Sequence, residues 1–288
     1  MDNDNLDCNN SACLAELWKS LTQKRGRGPQ SALFWDKRAE SFARNVRGDR
    51  REKRTAEIFD MIKSTGLSLE GAEVLDIGSG PGTLAIPLAK MGAKVTALDI
   101  SAEMMKGLLK RADEEGVAMS QIILSAWSDI DIDAQGFRGR YDLVLASMTP
   151  GINGPETFDK MMQASKNVCY YSNFVSRKWD ASYYELHQML FNESYGEAVS
   201  NGFQLPFMYL YSLGYRPILK ISKNTWASDE PVDCMADTVS GFFSGKKDIN
   251  DDMKNRMKKY FEEKAENGMY HSSTESVTGM MVWKIAQK

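Results

Sequence analysis

Between positions 73 and about 175 the apolar residues fall into five short runs: VLDI (74–77), KVTALDI (94–100), QIILSAW (121–127), YDLVLAS (141–147) and NVCYYSNFV (167–175). Stretches of helical length separate them. Short continuous apolar runs suit strands buried on both faces, and their alternation with helices predicts βαβ units on a parallel sheet. Upstream the period is helical: Leu33, Phe34, Phe42 and Ala43 space a helix over 32–45, and Ala56, Ile58, Phe59 and Ile62 space another over 51–63, with Gly66 ending the run. Downstream the pattern predicts a helix over 183–191, a strand over 218–226, helices over 232–243 and 251–265, and a last strand in VTGMMVWKIA (277–286). The late strands would complete the sheet. On the 251–265 helix, Met253, Met257, Tyr260 and Phe261 share one face, fit to pack on the sheet or to form a lid.

The expected class is therefore α/β: a doubly wound, mostly parallel, seven-stranded sheet. A helical cap is expected over residues 1–70, and a main domain over 71–288 with a helical insertion at about 228–268.

Composition narrows the function. The chain has 288 residues, 36 Lys+Arg against 39 Asp+Glu, a net charge of −3 and 42% apolar residues, which excludes a disordered or fibrous protein. Balanced charge argues against a nucleic-acid partner. The one basic run, Arg47, Arg50, Arg51, Lys53 and Arg54, is interrupted by Asp49 and Glu52 and reads as a solvated helix face. No window approaches the roughly 18 uninterrupted apolar residues of a membrane span. The start, MDNDNLDCNN, is acidic and polar where a signal peptide would be basic and then apolar, so no membrane partner is expected and the location expected is cytoplasmic. Cys8, Cys13, Cys169 and Cys234 are too few and scattered for a disulfide framework. Cys8 and Cys13 lie five apart with no His nearby, and no metal is expected. Most of the 17 Met read as core fillers.

The strongest chemical signal is the run from Glu73 to Gly82, EVLDIGSGPG, in which a strand enters a glycine-rich turn before the helical TLAIPLAKMG. Glycine lets a ligand approach the backbone there and allows the turn that presents a helix N-terminus. The second strand ends in Asp99, placed to accept hydrogen bonds from both hydroxyls of a ribose. Thr83 stands where the third glycine of a GxGxxG dinucleotide loop would be, which disfavours a nicotinamide cofactor.

Together, Glu73–Gly82, LDISAEMM (98–105) and the upstream segment FWDKRAESF (34–42) resemble class I S-adenosylmethionine-dependent methyltransferases over about residues 33–180. The resemblance implies a Rossmann-like fold, the cofactor S-adenosyl-L-methionine with S-adenosyl-L-homocysteine as product, and in-line methyl transfer to a small or medium organic acceptor. It implies that Asp76, Gly78, Ser79, Gly80 and Gly82 hold the methionine moiety, that Asp99 holds the ribose, and that Ile100 and Met104 pack near the adenine. The third strand of such enzymes often delivers an acidic residue to the adenine; here Ala126 or Trp127 stands at that place. Trp127 would stack on the base, with Ser128 or Asp129 as the alternative polar contact, unless it is a core residue. SMTPGI (147–152) faintly resembles the (N/D/S)PPY motif of amino-group methyltransferases, or is a Pro-Gly turn closing the methionine end of the pocket.

For the acceptor side, the candidates are Trp35, Thr149, Tyr183, Tyr184 and Trp226, with core packing the competing reading for the aromatic ones. His187 is the candidate general base, since its intrinsic pKa suits the task, or else a capping residue of its helix. Two other functions use the same sheet: a nicotinamide-dependent oxidoreductase, and a noncatalytic nucleoside-binding protein.

Overall fold

Val74, Leu75 and Ile77 are fully buried, and the strand that carries them, β1 (Glu73–Ile77), is flanked by strands on both sides. The computed structural model describes residues 10–23, 31–44, 49–195, 201–244 and 247–286. In it β1 pairs in parallel with β2 (Lys94–Asp99) and with β4 (Tyr141–Ser147). Outside these, β3 (Gln121–Leu124) pairs in parallel with β2 and β5 (Ser165–Lys178) with β4. With β6 (Ile218–Pro231) and β7 (Met269–Lys284), the order across the seven-stranded sheet is β3-β2-β1-β4-β5-β7-β6. The chain steps outward from β1 to β3 and then returns to β4. That reversal opens a crevice at the carboxyl ends of β1 and β4, where open α/β sheets bind ligands.

The described residues divide into two compact units. The first holds residues up to 173, 203–220 and 279 onward. On one sheet face, Ile58, Phe59 and Ile62 of α4 (Asp49–Lys63), Leu88 of α5 (Ala85–Lys90) and Leu108 of α6 (Ala102–Glu114) pack with Val74, Leu143, Leu145, Val168 and Tyr170. On the other, Phe158 of α7 (Pro155–Ala164) meets Trp18 of α1 (Ser11–Gln23) edge-on at 5.7 Å and stacks on Trp283 at 5.6 Å. Helices on both faces make the sheet doubly wound, as its apolar runs require.

The second unit, residues 174–202 and 221–278, has its own core. Tyr183, Leu186 and Leu190 of α8 (Ala181–Phe191) pack with Val239 and Phe243 of α10 (Val232–Ser244) and with Met257 and Phe261 of α11 (Asp251–Lys264). Asp180 anchors it, accepting hydrogen bonds from the Ser182 and Ser273 N–H groups and the Tyr270 hydroxyl (3.0, 2.8 and 2.8 Å). The helical insertion expected at about 228–268 falls inside this unit.

Three elements differ from the sequence reading. The helix expected over 32–45 is two, α2 (Ala32–Asp36) and α3 (Ala39–Arg44), separated at Lys37 and Arg38, where the Arg38 guanidinium lies 3.7 Å over the Phe34 ring and donates to the Phe34 carbonyl. The third strand stops at Leu124 because Trp127 turns into the core in a 3-10 turn. A helix that was not anticipated, α9 (Asn201–Ser212), carries Pro206 and an almost unbroken apolar run with no face to read. No helix among the described residues is long and apolar enough to cross a membrane.

Candidate functional site

At the carboxyl end of β1 the chain turns through Gly78, Ser79 and Gly80, and the N–H groups of Gly78 and Ser79 both donate to the Leu98 carbonyl (2.8 and 3.0 Å). Gly78 has φ +72°. A Cβ there would sit 2.1 Å from Thr149 Oγ1, so only glycine admits the strand-four loop. Thr149 reaches this place because Met148 is left-handed (φ +54°), with its own N–H donated to the Ser172 carbonyl (2.9 Å). Gly80 is different: nothing but Met104 Sδ, at 4.0 Å, lies within reach of a Cβ there, so the loop is open above it.

Asp99 ties the second strand to that loop. Its Oδ2 accepts the Gly80 N–H and its Oδ1 the Ser101 N–H, both at 2.9 Å. It is 8% exposed, and burial raises its pKa against the opposing pull of the Ser101, Gly80 and Ile100 N–H groups. Asp76, one strand inward and 3% exposed, is more perturbed. Burial, and next the charge of Asp99, push its carboxyl up to about 8, with only the Ala85 N–H pulling the other way. Two carboxyls beneath an open loop make a site that favours a cation and a pair of hydroxyl donors.

Asp76 also makes stability depend on pH. The unfolded chain gives up this proton near the ordinary value of 3.8, whereas the folded chain keeps it to about 8, so between those values the unfolded state binds fewer protons. Stability from this group is full below about pH 4 and declines as pH rises to about 8, at a limiting slope of about 1.4 kcal/mol per pH unit. Urea unfolding at pH 5, 6.5 and 8 should show that decline, and Asp76→Asn should flatten it; equal slopes in both proteins would refute the burial of an un-ionised Asp76.

The first unit also holds most other residues named from sequence. Ser79 and Met104 are buried, Ile100 is half-buried beside Asp99, and Gly82 packs against Ile86 and Leu108. Trp127 is 2% exposed, its indole N–H donates to the Thr157 carbonyl (2.9 Å) and Lys160 Nζ lies 5.0 Å from its ring centre. These are the contacts of a core tryptophan. Ser128 and Asp129, beside it, are exposed. Trp35 is half-buried and edge-on to Phe34 and Phe42.

Tyr183, Tyr184, His187 and Trp226 belong to the second unit and are not gathered with the glycine loop into one unit. Tyr183 stacks on Trp179 and Tyr184 accepts the Trp179 N–H (3.1 Å). His187, 8% exposed, has Nδ1 3.0 Å from the Glu193 carbonyl and its ring among Phe191, Tyr195 and Phe243. The Trp226 side chain, Arg47, and Cys8 with the rest of the first nine residues lie outside the described residues.

Sequence reading missed Asp36. Its carboxylate accepts from the Ser101 hydroxyl (2.5 Å) and the Glu103 N–H (3.2 Å), fastening α2 to the start of α6 directly beside Asp99. The hint was FWD within the expected helix 32–45; nothing in its spacing named the partner.

Residues 74–169 match the family model described as a methyltransferase domain. The segment belongs to that family. Among similar proteins, an uncharacterised protein of Haemophilus influenzae is 30% identical over 146 residues, half of this chain and 51% of that one. A ubiquinone biosynthesis O-methyltransferase of Xanthomonas euvesicatoria is 42% identical over 62 residues, 22% of this chain and 26% of that one. A chloroplastic magnesium protoporphyrin IX methyltransferase of Arabidopsis thaliana is 37% identical over 93 residues, 32% and 28% of the two chains. The chain spans about half or less of the length of these relatives. A solved structure from Bacillus halodurans C-125, described as a methyltransferase, superposes with a TM-score of 0.51 at 12% identity over 80% of this chain and 99% of that one, which agrees with the fold. The matched segment runs from β1 into β5 and contains the glycine loop, Asp76 and Asp99.

Proposed function

We propose that the chain transfers a methyl group from S-adenosyl-L-methionine to a small or medium organic acceptor. The observation that carries this reading is the hydrogen bond from the Gly80 N–H to Asp99 at 2.9 Å, next to a buried Asp76 and inside the segment that matches a methyltransferase domain. The cofactor, when bound, supplies a methyl group on an already activated sulfonium. Asp99 would take the ribose hydroxyls, Gly78, Ser79, Gly80 and Gly82 would line the amino-acid end, and Asp76 would face its positive charge. Ile100 and Met104 offer apolar surface for the adenine. The helices α2 and α3, held by Asp36, would cover the opening and exclude water. Positioning of this kind supplies most of what an in-line displacement needs. Trp35 and Thr149, in the unit that holds the glycine loop, are the proposed acceptor contacts.

Asp76 sets a pH signature. A cationic ligand favours its ionised form, so binding below pH 8 should release a proton and affinity for S-adenosylmethionine should rise from pH 6 to pH 8. Titration calorimetry in two buffers of different ionisation enthalpy measures the release. Binding of NAD with none of S-adenosylmethionine or S-adenosylhomocysteine would replace this function with the oxidoreductase reading.

A further inference from the structure

Beyond Asp76, the carboxyl edge of β4 and β5 carries polar groups that cofactor binding leaves unused. Asp76 pairs with Leu145 and Leu145 with Tyr170, so Tyr170 stands on the row of Asp76 two strands away, about 10 Å along the sheet. One step further up the face, Ser147 pairs with Ser172 and their hydroxyls hydrogen-bond at 3.0 Å. Alternation puts Ser147 and Ser172 on the face of Leu145 and Tyr170, the one covered by α4.

Two groups there are poorly matched. The buried Tyr170 hydroxyl has the Ser172 and Ser147 hydroxyls beside it but closes no well-formed hydrogen bond, and Nη2 of Arg54, on α4, is buried and unmatched. The sequence places Arg54 on a solvated face; the structure corrects this, because α4 turns that position toward the sheet. Burial holds the Arg54 guanidinium below its usual range, and Tyr170 is pushed up to about 12, again chiefly by burial. Glu57, the carboxylate that acts on Arg54 along α4, is already paired with Lys220 at 3.3 Å. A desolvated cation with an unmatched donor is costly unless something arrives to match it.

Resting on the methyl-transfer reading above, we propose that Arg54, the Tyr170 hydroxyl and the Ser147–Ser172 pair form a subsite that binds a carboxylate of the methyl acceptor. The planar guanidinium fork matches a carboxylate and one positive charge balances one negative charge. An acceptor anchored there would reach along the sheet edge toward Gly78 and Thr149.

The test uses the full chain, with benzoate as carboxylate probe, benzamide as its neutral counterpart, phenyl phosphate as the competing anion and sodium chloride at matched ionic strength. Benzoate should raise the melting temperature in a dose-dependent way and the other three should not. Arg54→Met should melt no lower than wild type, since it removes an unmatched buried charge, and should weaken benzoate binding at least tenfold; Tyr170→Phe, which removes only the hydroxyl beside Ser147 and Ser172, should weaken it at least threefold. The proposal is overturned if wild type ignores benzoate or prefers phenyl phosphate, if Arg54→Met melts several degrees lower or fails to fold, or if Tyr170→Phe binds benzoate as wild type does. S-Adenosylhomocysteine is titrated in parallel. Its binding without any benzoate effect sinks the subsite alone, whereas its failure to bind sinks the methyl-transfer reading independently.

Discussion

Replacing Asp99 by alanine is expected to weaken S-adenosylhomocysteine binding by about 2–4 kcal/mol, roughly 30- to 1000-fold, taking about 1.5–3 kcal/mol per charge-assisted hydrogen bond and partial replacement by water. Two losses combine in that figure. The ribose hydroxyls lose their acceptor, and the Gly80 and Ser101 N–H groups lose the oxygens that hold the loop to the end of β2. Asp99→Asn keeps one oxygen and gives up the charge, so it should fall between wild type and alanine. Calorimetry on all three proteins, with urea unfolding as a check on folding, separates loss of binding from loss of structure. An alanine variant that binds as tightly as wild type would mean that the cofactor lies elsewhere.

The second large effect is structural. Gly78→Ala should destabilise the fold by about 2–5 kcal/mol, because a left-handed L residue costs roughly 1–2 kcal/mol and overpacking a buried contact about 1–3. The clash has a named partner. The new Cβ would lie 2.1 Å from Thr149 Oγ1 and 2.6 Å from its Cβ, so Thr149→Ala cannot relieve it whereas Thr149→Gly can. Urea unfolding of the single and double variants should therefore show partial rescue by glycine and little by alanine. Equal rescue by both, or a Gly78→Ala protein as stable as wild type, would contradict the close approach of the two loops.

What could be read in the sequence follows from burial. Val74, Leu75, Leu143 and Val144 are buried on both sheet faces, so their strands appear as continuous apolar runs, and the glycine loop is legible because few other turns need that composition. The ends of β5 and β6 and the start of β7 read poorly: SRK, SDE and HSSTES are polar stretches whose pairing partners are far along the chain. A run of cations says nothing about which one points inward, and so Arg54 reads as surface while α4 buries part of its guanidinium. Trp127 shows the same limit, since an aromatic residue after a third strand fits a ligand wall and a core equally until its N–H is seen to bond to Thr157. His187 was readable only as a histidine on an apolar helix; its aromatic neighbours Tyr195 and Phe243 lie on separate stretches of chain.

The central claim, that Asp99 and the Gly78–Gly82 loop form the cofactor site, meets its most direct test in a crystal structure of the chain with S-adenosylhomocysteine. Expected are both ribose hydroxyls within about 3.2 Å of the Asp99 carboxylate and the amino-acid end over Gly80 and Asp76. A molecule bound away from Asp99, or a ribose whose hydroxyls make no contact with it, would contradict the claim.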